Sequence, residues 1–265
     1  MKQRVISAIF IAIITIAACL IGGYFLMAIC AFIDIWGCKE VVDLNKKKFN
    51  KVLYATMLIS TALISFADIY DVVNIQLIVV LVEPIVLASI AVFDKEVDML
   101  DIGTVYLMSI IIGFGTYYFM YFEFFSKYLF GYVIIISYLT DVFALLTGMK
   151  FGKHKLNERI SPKKTVEGFI GGWICGCLVS LLFAFIFDFF YMEPIVIIVA
   201  SILLPLVSQI GDLIFSMIKR YYNVKDYSNL IPGHGGILDR LDSLLITIIF
   251  LGAICILFIW KGLYY

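Results

Sequence analysis

Apolar residues run along this chain in continuous stretches separated by short polar segments, rather than alternating with polar ones. Continuous stretches of this length predict helices, not the strands of a membrane barrel. A helix crosses the roughly 30 Å hydrocarbon layer with about 20 residues. The first stretch, Val5–Cys38, would be about 51 Å long as a single helix. It therefore divides at Gly22-Gly23 into two shorter spans. The others are Val52–Phe66, Val73–Val92, Ile102–Phe119, Tyr128–Met149, Val166–Phe187, Pro194–Ile218 and Leu241–Trp260. The pattern predicts an all-α, polytopic integral membrane protein with about nine transmembrane helices. Lys2 and Arg4, followed by an apolar run and Ile16-Ala17-Ala18-Cys19, also resemble a cleavable leader. The chain stays apolar beyond Cys19, where a mature terminus should turn polar, so the segment is kept as a span.

Composition narrows the class. Of 265 residues, 63% are hydrophobic and 15% charged, against about 45–50% and about 25% in soluble domains. That excludes an ordinary cytosolic enzyme, a disordered tail and a nucleic-acid-binding module. The six cysteines lie in or beside apolar stretches, without a CxxC pair, and only two histidines occur. They read as small buried hydrophobes, not as a metal site or disulfide framework. The formal net charge is zero, so any message lies in how charge is distributed. Lys39–Lys51, Lys150–Thr165 and Lys219–Arg240 are rich in Lys and Arg, whereas Ala67–Val72 and Asp188–Glu193 carry acids and no Lys or Arg. Basic loops face the cytosol, which predicts a cytoplasmic N-terminus and an outside C-terminus. Only the inside loop Phe93–Asp101, with Lys95 among several acids, does not support this arrangement.

The two halves differ in kind. Residues 1–126 read as a transmembrane scaffold, and residues 127–265 hold nearly all groups able to do chemistry. Lys150–Thr165 reads KFGKHKLNERISPKKT. Its plain reading is a positive-inside anchor touching lipid headgroups. Ser161-Pro162 predicts a helix start with Glu167 in its first turn. Lys163, Lys164 and Thr165 would then sit at a helix N-terminus, whose free N–H groups and dipole favour phosphate. Along the eighth span Ser208, Asp212 and Ser216 are spaced by four, and Lys219 and Arg220 continue the line. Asp212 would lie about 10 Å inside the helix end at Lys219. An acid at that depth faces protein or water, either as a packing partner or as part of a site. Asp141 would lie about 14 Å inside the end at Lys150. It belongs to a small and polar stripe, Ser137, Thr140, Asp141, Ala144, Thr147 and Gly148, otherwise suited to helix packing. Asp34, Asp68, Glu83 and Asp188 read as topological or packing residues, Glu83, mid-span beside Pro84, being the one not to dismiss.

The segment after the eighth span contains Pro232-Gly233-His234-Gly235-Gly236, either a plain turn or a loop whose N–H groups closely approach a phosphate chain. Asp239 and Asp242 follow at i and i+3, beside Arg240. They read either as helix caps or as carboxylates that meet Asp212 at a metal. Mg²⁺ takes one or two carboxylates together with water and substrate phosphates, and that inventory is present.

The run Ser208–Leu244, SQIGDLIFSMIKRYYNVKDYSNLIPGHGGILDRLDSL, resembles the signature of the phosphatidate cytidylyltransferase (CDP-diacylglycerol synthase) family. The pattern S-x-x-K-R, K-D, P-G-H-G-G, D-R-x-D falls on Ser216, Lys219, Arg220, Lys225, Asp226, Pro232 to Gly236, Asp239, Arg240 and Asp242. Asp141–Gly172, with FGKHKL and ISPKKTVEGFIGG, is also similar to the family; Leu145, Phe215 and Tyr221 depart from its usual residues. The resemblance implies transfer of CMP from CTP to phosphatidic acid at the cytosolic face of a lipid bilayer. With it, Asp212 and Asp239 are the expected Mg²⁺ ligands, with Ser216 completing the shell and Asp141 behind them. Lys163, Lys164, Thr165, Lys219, Arg220, Lys225, His234, Gly235, Gly236 and Arg240 are the expected contacts for the triphosphate and the lipid phosphate. A second cation and a homodimer stay open. The rival readings are a CTP-dependent lipid-alcohol kinase, separated by release of CDP instead of pyrophosphate, and an ion-coupled transporter. A transporter would place its acids near the midplane, not toward one face.

Overall fold

The structure, a computed structural model, describes residues 2–44, 50–69, 74–187, 193–233 and 235–259, with side chains described between residues 10 and 258. Asp188 and His234 lie outside the described residues. The elements are α1 (Lys2–Ile21), α2 (Gly23–Val42), α3 (Lys51–Ser65), a 3₁₀ turn (Ala67–Ile69), α4 (Ile75–Phe93), α5 (Met99–Phe125) and α6 (Lys127–Phe151). There follow β1 (Lys155–Asn157), β2 (Ser161–Thr165), α7 (Val166–Phe187), α8 (Pro194–Tyr221) and α9 (Leu238–Ile259). Each predicted span has its helix. Among the described residues, six of them, α4 to α9, are long and apolar enough to cross a membrane. α3 is a shorter apolar helix, and α2 carries Asp34, Lys39 and Glu40. The protein is therefore a helical integral membrane protein. Its departure from an all-helical chain is the antiparallel hairpin of β1 and β2.

The chain divides into two compact units. The first comprises Met1–Phe124 and Tyr221–Leu241, the second Phe125–Arg220 and Asp242–Tyr265.

In the first unit the break between α1 and α2 falls at Gly22, as expected, where φ is 60°. A Cβ there would run into the Glu123 carboxylate, which instead accepts a bond from the Gly23 N–H at 3.3 Å. Asn50 caps α3, its side-chain oxygen accepting from Val52 and Leu53 N–H at 3.0 and 3.1 Å. Buried polar groups in such a helix bundle need partners, and hydroxyls supply them. Thr116 donates to Asp34 at 3.0 Å and also meets Ser65 at 2.7 Å. Ser109 donates to Glu83 at 2.7 Å. Asp34 and Glu83 are thus interior packing groups of this unit, the role expected of both, and the second oxygen of each has no hydrogen-bond partner among the described residues.

In the second unit α7 packs closely on α6 through Gly168, Gly172 and Gly176, one small residue per turn. A Cβ on Gly172 would lie 2.6 Å from the Ala144 Cβ, and one on Gly176 2.5 Å from the Thr140 Oγ1 and 2.7 Å from the Pro205 Cβ. No side chain fits at that separation, so the glycines set the helix spacing. Thr140, Ala144, Thr147 and Gly148 of the expected stripe face these glycines. Ser137 and Asp141 turn instead toward α8 and α9.

Candidate active site

The hairpin overturns one local expectation. Ser161-Pro162 does not start a helix; Ser161–Thr165 is a strand, and α7 begins at Val166. The reason lies in side-chain caps. Asn157 accepts the Ile160 N–H at 3.1 Å and closes the turn. Thr165 accepts the Gly168 N–H at 3.1 Å and so caps α7. The Thr165 hydroxyl is thereby engaged as an acceptor by its own helix. Glu167 does fall in the first turn of α7. It draws the start of the hairpin in by accepting from Lys153 N–H at 3.0 Å and by pairing with the His154 Nδ1 at 2.6 Å.

On a strand successive side chains point to opposite sides. Lys163 is exposed, whereas Lys164 is half-buried and its ammonium pairs with the Asp212 Oδ2 at 2.5 Å. The other Asp212 oxygen accepts from Ser216 at 3.2 Å, one helical turn on. Asp141 accepts from Ser243 at 3.1 Å, and a hydroxyl chain continues from Ser243 to Ser137 at 3.0 Å and to Ser208 at 3.3 Å. Asp141 lies within Coulombic reach of Asp212 and Lys164. Asp242 lies within reach of Asp212, Lys219 and Asp141. Lys219 is buried, with 7% of its surface exposed, and Arg220 reaches back to the hairpin, donating to the Ile160 carbonyl at 3.2 Å. The second unit thus brings together Asp141, Lys164, Asp212, Ser216 and Lys219. It adds Asp242, which the spacing left open as either a helix cap or a metal carboxylate.

Oxygen-only donors at this cluster fit a hard cation such as Mg²⁺. Among the described residues no three ligating side chains surround a single point. The protein would therefore supply one or two carboxylates and leave the other positions to water and phosphate, as Mg²⁺ prefers.

The signature loop belongs to the first unit and is braced by two carboxylates. The Asp239 Oδ2 accepts from Tyr227 N–H at 2.7 Å and from Gly236 N–H at 2.9 Å. Gly235 and Ile231 exchange backbone bonds at 3.2 and 2.8 Å. The Gly235 and Gly236 N–H groups donate within the loop, to the Ile231 carbonyl and to Asp239. Asp239, 7% exposed, thus holds two amides through its Oδ2. Gly235 has φ 87°, and a Cβ on it would stand 2.7 Å from the Asp239 Oδ2, so the loop requires glycine there. Lys225 is exposed and Arg240 half-buried, and the Arg240 Nε has no hydrogen-bond partner among the described residues. Tyr222 opens the segment by donating to Asp101 at 3.0 Å. Burial pushes its phenol above the usual range, so it remains a donor.

Glu40 was not foreseen. It is 1% exposed and accepts from Ser228 at 2.6 Å, Ile237 N–H at 2.9 Å and Leu238 N–H at 3.0 Å. Its only sequence trace is an acid at the polar end of an apolar stretch.

Comparison with known proteins gives the family of the chain. The family model described as Cytidylyltransferase family matches residues 2–258. The phosphatidate cytidylyltransferase of Staphylococcus haemolyticus (strain JCSC1435) is 33% identical over 251 residues, covering 94% of this chain and 96% of its own. Those of Staphylococcus aureus (strain COL) and Staphylococcus epidermidis (strain ATCC 35984) are each 35% identical, with the same two coverages. A match over nearly the whole chain, together with these relatives, establishes that the protein belongs to the cytidylyltransferase family.

Proposed function

We propose that this protein is a phosphatidate cytidylyltransferase that transfers CMP from CTP to phosphatidic acid, giving CDP-diacylglycerol and pyrophosphate. A phosphate oxygen of the lipid attacks the α-phosphorus of CTP, and the bond to the β-phosphate oxygen breaks. The observation that carries the reading is the mixed cluster of Asp141, Lys164, Asp212, Lys219 and Asp242, in a chain matched to this family from residue 2 to 258. Carboxylates for a metal, beside ammoniums for phosphate oxygens, form the inventory of a polyphosphate site.

The lipid phosphate is largely dianionic at neutral pH, its second pKa being about 6. It needs positioning and charge neutralisation more than a strong base. Lys164 and Lys219 would hold phosphate oxygens at the cluster. Asp212, with Asp242 or Asp141, would hold Mg²⁺, and the Ser216 hydroxyl would orient the Asp212 carboxylate. When bound, Mg²⁺ neutralises phosphate charge and makes the α-phosphorus more electrophilic. Ser243 would keep Asp141 fixed through its hydrogen bond. Lys225 and Arg240, on the signature loop, are further candidates for phosphate contact.

We place the site at the cytosolic side of the cytoplasmic membrane, with nine spans and a cytoplasmic N-terminus. The Lys and Arg content of the segments after α2, α6 and α8 supports this orientation. The test uses purified protein with phosphatidic acid, CTP and Mg²⁺. Pyrophosphate should form only when all three are present. Release of CDP would instead indicate a CTP-dependent lipid kinase.

A further inference from the structure

The N-terminus of α9 has an unusual cap. The residue before its first turn is Ile237, which has no side-chain acceptor for the free N–H groups there. The acceptor comes from Glu40, nearly two hundred residues earlier on α2. One oxygen of its carboxylate takes the Ile237 N–H, and the other takes the Leu238 N–H. The first oxygen also takes the Ser228 hydroxyl, which in turn accepts the Leu230 N–H at 3.2 Å. All three of these donors to Glu40 belong to the segment 228–238. Gly236 completes the argument, because a Cβ on it would collide with the Glu40 carboxylate. One glycine of the pair is therefore fitted to Asp239, and the other to Glu40. A buried acid on a membrane-protein helix is expensive unless it is bonded, and among the described residues the hydrogen bonds of Glu40 all go to the loop and the start of α9.

We propose that Glu40 is a positioning residue for CMP transfer: it ties the signature loop and the start of α9 to α2, and so sets where Lys225, Asp239 and Arg240 stand. This rests on the reaction proposed above. Charge is essential to the anchor. A carboxylate presents two acceptor oxygens to N–H groups at a helix N-terminus, where negative charge is favoured. The amide of Gln has the same shape but turns an NH₂ toward one of those donors.

The test compares Glu40→Gln, Gly236→Ala and the double variant Glu40→Ala/Gly236→Ala in the full-length, purified protein. Two readouts are taken: kinetics of CMP transfer, and amide hydrogen exchange of the segment 226–239. Glu40→Gln should speed exchange in that segment while leaving exchange in α4 to α6 unchanged. It should lower kcat about 10²-fold, the scale for misplacing reacting groups by about 1 Å. KM for phosphatidic acid should change little. Gly236→Ala should give the same kcat loss in the wild-type background, but little additional loss beside Glu40→Ala, because the colliding partner is then gone. A merely structural Glu40 would lower the yield of folded protein and leave kcat per folded molecule unchanged, and that result overturns the proposal. If Glu40→Gln does not fold, Ser228→Ala removes one donor without touching the acid. It should still loosen the segment and lower kcat, and wild-type values for both would overturn the proposal. A wild-type protein that makes no CDP-diacylglycerol, alongside a Glu40→Gln variant with a loosened segment, would overturn the reaction and leave the anchor standing.

Discussion

At Asp212 both carboxylate oxygens are engaged, one by the Lys164 ammonium and one by the Ser216 hydroxyl. Asp141 and Asp242 stand within Coulombic reach. Three acids that share one neighbourhood repel one another unless protons or cations offset the charge, and Lys164 and Lys219 are the cations here. Asp212→Asn keeps the shape and removes the charge. It should lower turnover about 10²–10³-fold, the range seen when one group facing developing charge is lost. It should also raise the Mg²⁺ concentration needed for half-maximal rate, while the protein still inserts and purifies. Near-normal turnover with unchanged Mg²⁺ dependence would refute the metal role. Asp212, Ser216 and Lys219 were legible in the sequence because a polar line at helical spacing on an apolar helix can face only protein or water. Asp239 and Asp242 were harder. They sit three residues apart beside the same Arg240, and spacing alone does not say which one meets the acids and which one closes a loop. Glu40 was illegible because its partners are backbone amides nearly two hundred residues away, and backbone amides leave no mark in a sequence.

Helix limits followed the apolar runs closely because membrane depth and backbone hydrogen bonding leave little freedom. The break at Gly22 and the start of α7 at Val166 both fall where the pattern put them. The hairpin between α6 and α7 did not, since Ser161-Pro162 carries the signal of a helix start. In the folded chain Thr165 provides that cap, and Asn157 turns the preceding residues into a strand. The consequence is functional. On a helix, Lys163 and Lys164 would act as equals at one N-terminus. On a strand they point apart, and only Lys164 meets the cluster. Lys164→Gln should therefore raise KM for CTP about tenfold, or about 1.4 kcal/mol, whereas Lys163→Gln should change it less than about twofold. Steady-state kinetics on both single variants decide this; equal effects would return the two lysines to a shared helix-terminal site.

Across the whole molecule, six helices among the described residues have the length and apolarity to span a bilayer, whereas α3 is shorter and α2 carries three charges. On the proposed arrangement, nine crossings with a cytoplasmic N-terminus, the hairpin and the signature loop would both face the cytosol. Cysteine introduced at Lys155 or at Asn229, both exposed, should react with a membrane-impermeant maleimide only in inverted vesicles. Labelling of either in intact cells would invalidate the orientation. The reaction has a more direct test in where the phosphorus atoms of CTP go. Purified protein is incubated with phosphatidic acid, Mg²⁺ and CTP labelled with ³²P at either the α or the γ position. CMP transfer places the α label in a lipid and the γ label in pyrophosphate. A γ label in lipid, or an α label that remains in water-soluble CDP, would contradict the account.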